Sequence, residues 1–153
     1  MGSEVRVLPG TFIFHKEMRK IDNIIIHHSG NTDTPEKIRE LHVEKNGWDD
    51  IGYHFMISRE GQVFTGRKLE TIGAHVKRFN ESSIGICLLG NFDNEEPQES
   101  QLLALNNLIN NLMEEIGLED SCIKLHRDFE DVEKSCPGKN ISKELILSQT
   151  RLK

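Results

Sequence analysis

Hydrophobic and polar positions divide this chain into short strand patterns and a few helical ones. Ile24 to His28 is a β-branched run that ends in two histidines, the pattern of a buried strand, and Gly30-Asn31 follows as a turn. Thr34-Pro35-Glu36-Lys37 opens a helix, with Thr34 as N-cap and Pro35 in the first helical position. Lys37 stands where a capping box would place Glu. Ile38, Leu41 and His42 share one face of that helix, which is expected to stop near Asn46-Gly47. The runs Ile51 to Ser58 and Gln62 to Thr65 flank Arg59-Glu60-Gly61 and predict a hairpin. Ser83 to Leu89 is apolar nearly throughout and predicts a central strand. The acidic stretch from Asn91 to Glu99 reads as a solvated loop.

Leu102, Leu105, Leu108, Ile109, Leu112, Met113 and Ile116 then recur at helical spacing, and Gly117 closes that helix. A last strand is expected at Ile123 to His126 and a last helix at Ser142 to Gln149. Residues 1 to about 20 carry no clear period beyond an imperfect alternation at Val5, Val7 and Leu8 and a short apolar segment at Thr11 to Phe14. They are set apart as an N-terminal extension, with 21–153 as the folded domain. Strands before and after helices, with no repeat and no linker, predict a single α/β domain, a central mixed β-sheet flanked by α-helices.

Composition narrows the function classes. At 153 residues, with 36% hydrophobic and 29% charged positions, the chain has the make-up of one globular domain. A formal charge of −6 argues against a nucleic-acid binder, although Arg67, Lys68, Lys77 and Arg78 give a local basic stretch. Three cysteines with no Cys-x-x-Cys pair favour reduced thiols over a disulfide framework. Neither a signal-peptide core nor a membrane-spanning run is present, so synthesis in the cytoplasm and no membrane insertion are expected.

The chemistry gathers around Leu125-His126-Arg127-Asp128, running on to Lys134-Ser135-Cys136-Pro137-Gly138. An imidazole ends a short apolar run, and a thiol returns after a polar loop. That donor mixture suits a borderline-soft ion such as zinc. A third donor stands at the end of the first buried strand, where His27 and His28 point to opposite faces, so only one of them faces the metal. Cys87 and Cys122 read as small packed hydrophobes, His54 as structural, and Trp48 as a packing residue.

Five blocks occur in a set order: Ile26-His27-His28-Ser29, Gly52-Tyr53-His54-Phe55, Gly73-Ala74-His75, Asn80-Glu81-Ser82-Ser83-Ile84-Gly85-Ile86, and His126-Arg127-Asp128 to Cys136-Pro137-Gly138. As an ordered set, spanning roughly Ile21 to Ile141, they resemble the zinc-dependent N-acetylmuramoyl-L-alanine amidases of the type-2 amidase and peptidoglycan recognition protein superfamily. Within it the chain looks closest to the amidase lysozymes of T-odd bacteriophages.

The resemblance implies one Zn2+ per chain on His27, His126 and Cys136, held at one edge of the sheet in an open groove. It also implies Tyr53 and Lys134 as catalytic residues, either of them suited to donate to a developing oxyanion. His75, in a glycine-flanked segment between strands, and Asn80 are expected to bind substrate. The His126-to-Cys136 loop is about two residues longer than in the phage relatives, which bears on the alignment of Lys134. Cytosolic recycling amidases of the superfamily carry glutamate where Cys87 stands and aspartate in place of Cys136, so this chain sits apart from them.

The implied function is cleavage of the amide between N-acetylmuramic acid and L-alanine, with bacterial peptidoglycan as partner. A monomeric phage or prophage endolysin, made in the host cytoplasm and released through a holin, is the expected setting. The rivals are a non-catalytic peptidoglycan-binding protein, against which Cys136 and Tyr53 argue, and a muropeptide-recycling amidase. A regulatory contact with a phage RNA polymerase is a further property of such phage amidases.

Overall fold

The computed structural model describes residues 6–7, 19–48, 50–129 and 135–150. Among them six strands form one sheet: β1 (Arg6–Val7), β2 (Asn23–His28), β3 (Phe55–Ile57), β4 (Val63–Thr65), β5 (Ser83–Leu88) and β6 (Ile123–Leu125). Their spatial order is β1-β4-β3-β5-β2-β6. The β3–β5, β5–β2 and β2–β6 pairs are parallel, while β4 runs antiparallel to β3 and to β1. The sheet is therefore mixed, as expected, with helices α1 (Pro35–Arg39), α2 (Glu99–Ile116) and α3 (Lys143–Thr150) on its faces.

Alternation along the two central strands assigns each face. Ile24 and Ile26 of β2 and Ile84, Ile86 and Leu88 of β5 are fully buried in one cluster with Leu105, Leu108, Ile109 and Leu112 of α2 and Ile146 of α3. Burying each such side chain contributes about 1.5–3 kcal/mol, so this layer dominates the stability of the domain. Gln101 anchors the start of α2 by donating from its side-chain nitrogen to the carbonyls of Ile57 and Leu89. Gly117 ends α2 in the left-handed region (φ 84°), its N–H returning to the Met113 carbonyl. The opposite face carries a smaller cluster of Ile38, Ile51, Met56, Cys87 and Leu89 under α1. Cys87 is fully buried there and Cys122 is buried in the larger cluster, so both behave as packed hydrophobes.

Three expectations are adjusted. The α-helix begins as foreseen, with Thr34 Oγ1 accepting from the Lys37 N–H at 3.2 Å, a cap worth about 1 kcal/mol. It is α-helical only to Arg39, and Glu40–Lys45 continues as a π-helical turn. The widened turn places His42, whose Nδ1 accepts from the Gly52 N–H at 3.0 Å and whose ring lies 4.8 Å from that of Trp48. The first hairpin strand is confined to Phe55–Ile57, because consecutive amides of Gly66 and Arg67 bond to the consecutive carbonyls of His54 and Tyr53. That pairing breaks the alternation of an antiparallel ladder and frees the Tyr53 segment to bend. Finally, part of the expected N-terminal extension joins the domain. Arg6–Val7 adds an edge strand beside β4, and the Arg19 guanidinium donates to the carbonyls of Leu69 and Glu81. Among the described residues no helix is long and apolar enough to cross a membrane.

Candidate metal centre and groove

Two parallel strands deliver the first two donors. His27 is the penultimate residue of β2, on the face opposite Ile26, and is 2% exposed. His126 opens a 3-10 turn (His126–Asp128) directly after β6, the outermost strand on that side. Asp128 shapes the turn by accepting from the Leu125 N–H at 2.8 Å. The two imidazole centroids lie 4.5 Å apart.

Cys136 comes from the segment that returns after the polar loop, and two clamps set its position. Arg127 is the first: its backbone N–H donates to the Cys136 carbonyl at 2.9 Å, and its guanidinium donates to the carbonyls of Ser135, Gly138 and Ile141. Asp93 is the second, accepting from Ser135 Oγ at 2.6 Å and from the Lys139 N–H at 2.9 Å. Those bonds also hold the Asp93 carboxyl below the usual carboxylate range, the Ser135 bond most of all. The result puts Cys136 Sγ 4.0 Å from His27 Nδ1, and one donor atom each from His27, His126 and Cys136 within 4.8 Å of one another. This set is suited to holding a metal ion.

His28 turns the other way. Its Nδ1 accepts from the Phe92 N–H at 3.2 Å, and it is the backbone of His28 that meets Cys136 Sγ, through the N–H at 3.4 Å and the carbonyl at 4.0 Å. Burial, together with the neighbouring His75, His126 and His28, pushes His27 well below the usual histidine range and keeps it neutral, the form in which imidazole ligates.

The Tyr53 ring centroid is 5.2 Å from that of His27. Burial first, then the Cys87 and Cys136 thiols, raise the phenol well above its ordinary value, so it stays protonated and able to donate. His75 packs edge-on to His27, with His75 Nδ1 2.8 Å from His27 Nε2. Asn80 holds that segment: its Oδ1 accepts from the backbone N–H groups of His75 and Val76, both at 2.9 Å. His54 is fully buried, with Nδ1 accepting from the Gly85 N–H and Nε2 2.8 Å from the Thr71 carbonyl, and desolvation lowers it to about 3. Lys134 lies outside the described residues.

The cluster opens onto a groove of about 530 Å³ lined by His27, Tyr53, His75, Asp93, His126 and Cys136, among others. A shallower extension of about 440 Å³ continues past Tyr53 and His75 to Trp48, Lys77 and Asn80. Sequence reasoning missed Arg127 and Asp93 as clamps, and the stretch read as a solvated acidic loop supplies one of them. Asp93 carried no local signal, since its partners lie more than forty residues on. Arg127, adjacent to His126, was at least within a marked block.

A protein-family model described as N-acetylmuramoyl-L-alanine amidase matches residues 17–139. The chain belongs to this family. Its relatives span both branches expected from the ordered blocks. Peptidoglycan-recognition protein LB of Drosophila melanogaster is 37% identical over 134 residues, which cover 80% of this chain and 56% of that protein. The endolysin of Escherichia phage T7 is 32% identical over 132 residues, covering 80% of this chain and 84% of the endolysin. Among solved structures, N-acetylmuramoyl-L-alanine amidase LysC from Clostridium intestinale superposes with a TM-score of 0.78 at 32% identity, over 89% of this chain and 88% of that one. The enzyme class expected from the sequence, an N-acetylmuramoyl-L-alanine amidase, is thus the class of the family, and the fold is that of the solved amidase.

Proposed function

We propose that the chain is a zinc amidase that hydrolyses the bond between N-acetylmuramic acid and L-alanine in peptidoglycan. The observation that carries this reading is the convergence of His27, His126 and Cys136 beside the protonated Tyr53 in an open groove. Mixed imidazole and thiolate donors suit zinc, and three protein donors among the described residues, beside an accessible groove, match a catalytic rather than a closed structural site. Bound there, zinc would supply a Lewis acid that polarises a carbonyl and brings the pKa of water toward neutrality.

The chain's own groups account for the remaining chemistry. Neutral His27 offers Nδ1 toward the cluster, and Arg127 and Asp93 keep Cys136 against it. As water adds to the lactyl carbonyl carbon, the oxygen of that carbonyl gains charge, and the Tyr53 hydroxyl is proposed as a donor to it. The C–N bond then breaks, and the departing L-alanine nitrogen takes up the proton that the attacking water gives up, which closes the hydrolysis as acid and free amine. Lys134 is proposed as a second donor at the oxyanion. The groove continues past Tyr53 and His75, which gives a polymeric substrate room beyond the cluster. An endolysin setting, with synthesis in the cytoplasm and access to the wall after holin release, is the biological role we propose, the monomer being the acting unit.

The test is a digest of purified peptidoglycan, with and without a zinc chelator. New L-alanine amino termini that vanish with chelator, return with zinc and are lost in His126→Ala are the expected result. New reducing ends would mean a glycosidase and overturn the reading. Tight wall binding without any product would turn it into a recognition protein.

A further inference from the structure

We propose that His75 is a positioning residue that sets the tautomer of His27, so that the Nδ1 lone pair of His27 is presented to the His126/Cys136 cluster. This inference rests on the metal-binding role proposed for His27. A hydrogen bond between two imidazole nitrogens needs one donor and one acceptor, and distance alone does not say which is which. Here the rest of the chain decides it. The Ser83 hydroxyl has one hydrogen, and its short contact, 2.7 Å, is to the Phe79 carbonyl, which can only accept. Ser83 Oγ must then accept from its other neighbour, His75 Nε2, at 3.3 Å. With its proton on Nε2, neutral His75 has a bare Nδ1, which accepts from His27 Nε2–H at 2.8 Å. The proton of His27 therefore sits on Nε2, and Nδ1, the nitrogen 4.0 Å from Cys136 Sγ, is left as the free lone pair. A carbonyl oxygen at Phe79 thus sets the direction of three hydrogen bonds that end at a metal ligand.

The seat of His75 is built for this one ring. A Cβ added at Gly85 would come within 2.6 Å of the ring and one at Gly73 within 2.7 Å, so the imidazole lies flat against strand β5 where only glycine permits it. Asn80 fixes the backbone on the other side by accepting from the amides of His75 and Val76. Partners of this kind, which hold a ligating imidazole through its second nitrogen, commonly change metal affinity by about 10- to 100-fold when removed. His75 acts on this view through His27 and not through substrate.

The experiment combines zinc affinity, by competition with a chromophoric chelator, and the 15N tautomer of His27 in the metal-free protein. The parent should show His27 protonated on Nε2. His75→Leu, of similar bulk but without an acceptor, should bind zinc about 10- to 100-fold more weakly. His75→Gln, which restores an acceptor oxygen, should recover much of that loss. Ser83→Ala, a smaller change in a position away from the metal, should mix the His27 tautomers. A parent with His27 protonated on Nδ1 overturns the inference whether or not the variants fold, and so does a folded His75→Leu that binds zinc like the parent. A parent that binds no zinc overturns this inference and the metal role together. Tight zinc binding without peptidoglycan cleavage overturns only the proposed activity.

Discussion

The two faces of strands β2 and β5 make opposite use of the same register. On one, Ile24 and Ile26 lie beside Ile84 and Ile86, all fully buried in a layer sealed by α2 and α3. On the other, Ile25 and His27 lie beside Gly85 and Cys87, and the space that β-branched side chains would fill holds the rings of His75 and Tyr53. A period of two thus lets one strand serve stability and chemistry at once, without either spilling into the other. The apolar face buries few polar side chains, among them Gln101, whose nitrogen donates to two carbonyls while its Oε1 has no partner among the described residues. The site face gathers four histidine rings, at positions 27, 54, 75 and 126, and desolvation keeps the first three of these uncharged.

Neighbouring substitutions on β5 sharpen that contrast. Ile86→Ala opens a cavity in the sealed layer and should lower the unfolding free energy by about 2–5 kcal/mol, while folded molecules keep their zinc affinity. Gly85→Ala, one residue earlier, drives a methyl into the His75 ring. It should cost less stability, about 1–3 kcal/mol, yet weaken zinc binding in the molecules that remain folded. Denaturant unfolding and chelator competition on the same two proteins separate the effects. Equal changes in both quantities would show that the faces are not independent.

A smaller effect lies away from both faces. Arg59 donates to both carboxylate oxygens of Glu95 at 2.8 and 2.9 Å and lowers that carboxyl from 4.5 to about 2. A depressed folded-state pKa means the pair stabilises above about pH 4.5 and its contribution fades as the pH falls from there toward 2. Because the pair is partly solvated, its worth is at most about 1 kcal/mol. Glu95→Gln should therefore narrow the stability gap from the parent as the pH drops through that window, with zinc binding unchanged, as followed by denaturant midpoints.

Much of this was legible in the sequence, for reasons that differ by element. The β-branched run at Ile24–Ile26 and the leucine stripe of α2 announce themselves because burial is written into local periodicity. The π-helical turn at Glu40–Lys45 does not, since its widened turn comes with contacts from His42 to Gly52 and Trp48. For the site, the order of five short blocks drew His27, Tyr53, His75, His126 and Cys136 into one expectation, and all five line one groove. What holds them was hidden. Asp93 looked like one acid in a solvated loop, and its bonds to Ser135 and Lys139 span more than forty residues. Ser83 looked like the polar start of an apolar strand, whereas its hydroxyl bridges Phe79 and His75. Such roles depend on which backbone carbonyls and amides the fold brings near, and side-chain identity alone does not encode that.

The central claim is that His27, His126 and Cys136 together hold zinc. X-ray absorption at the zinc edge of the zinc-loaded protein tests it most directly. The account predicts one sulfur and two imidazoles around the metal, and a Cys136→Ser protein whose sulfur signal is gone. A shell of nitrogen and oxygen only in the parent, or a sulfur signal that survives Cys136→Ser, would contradict it.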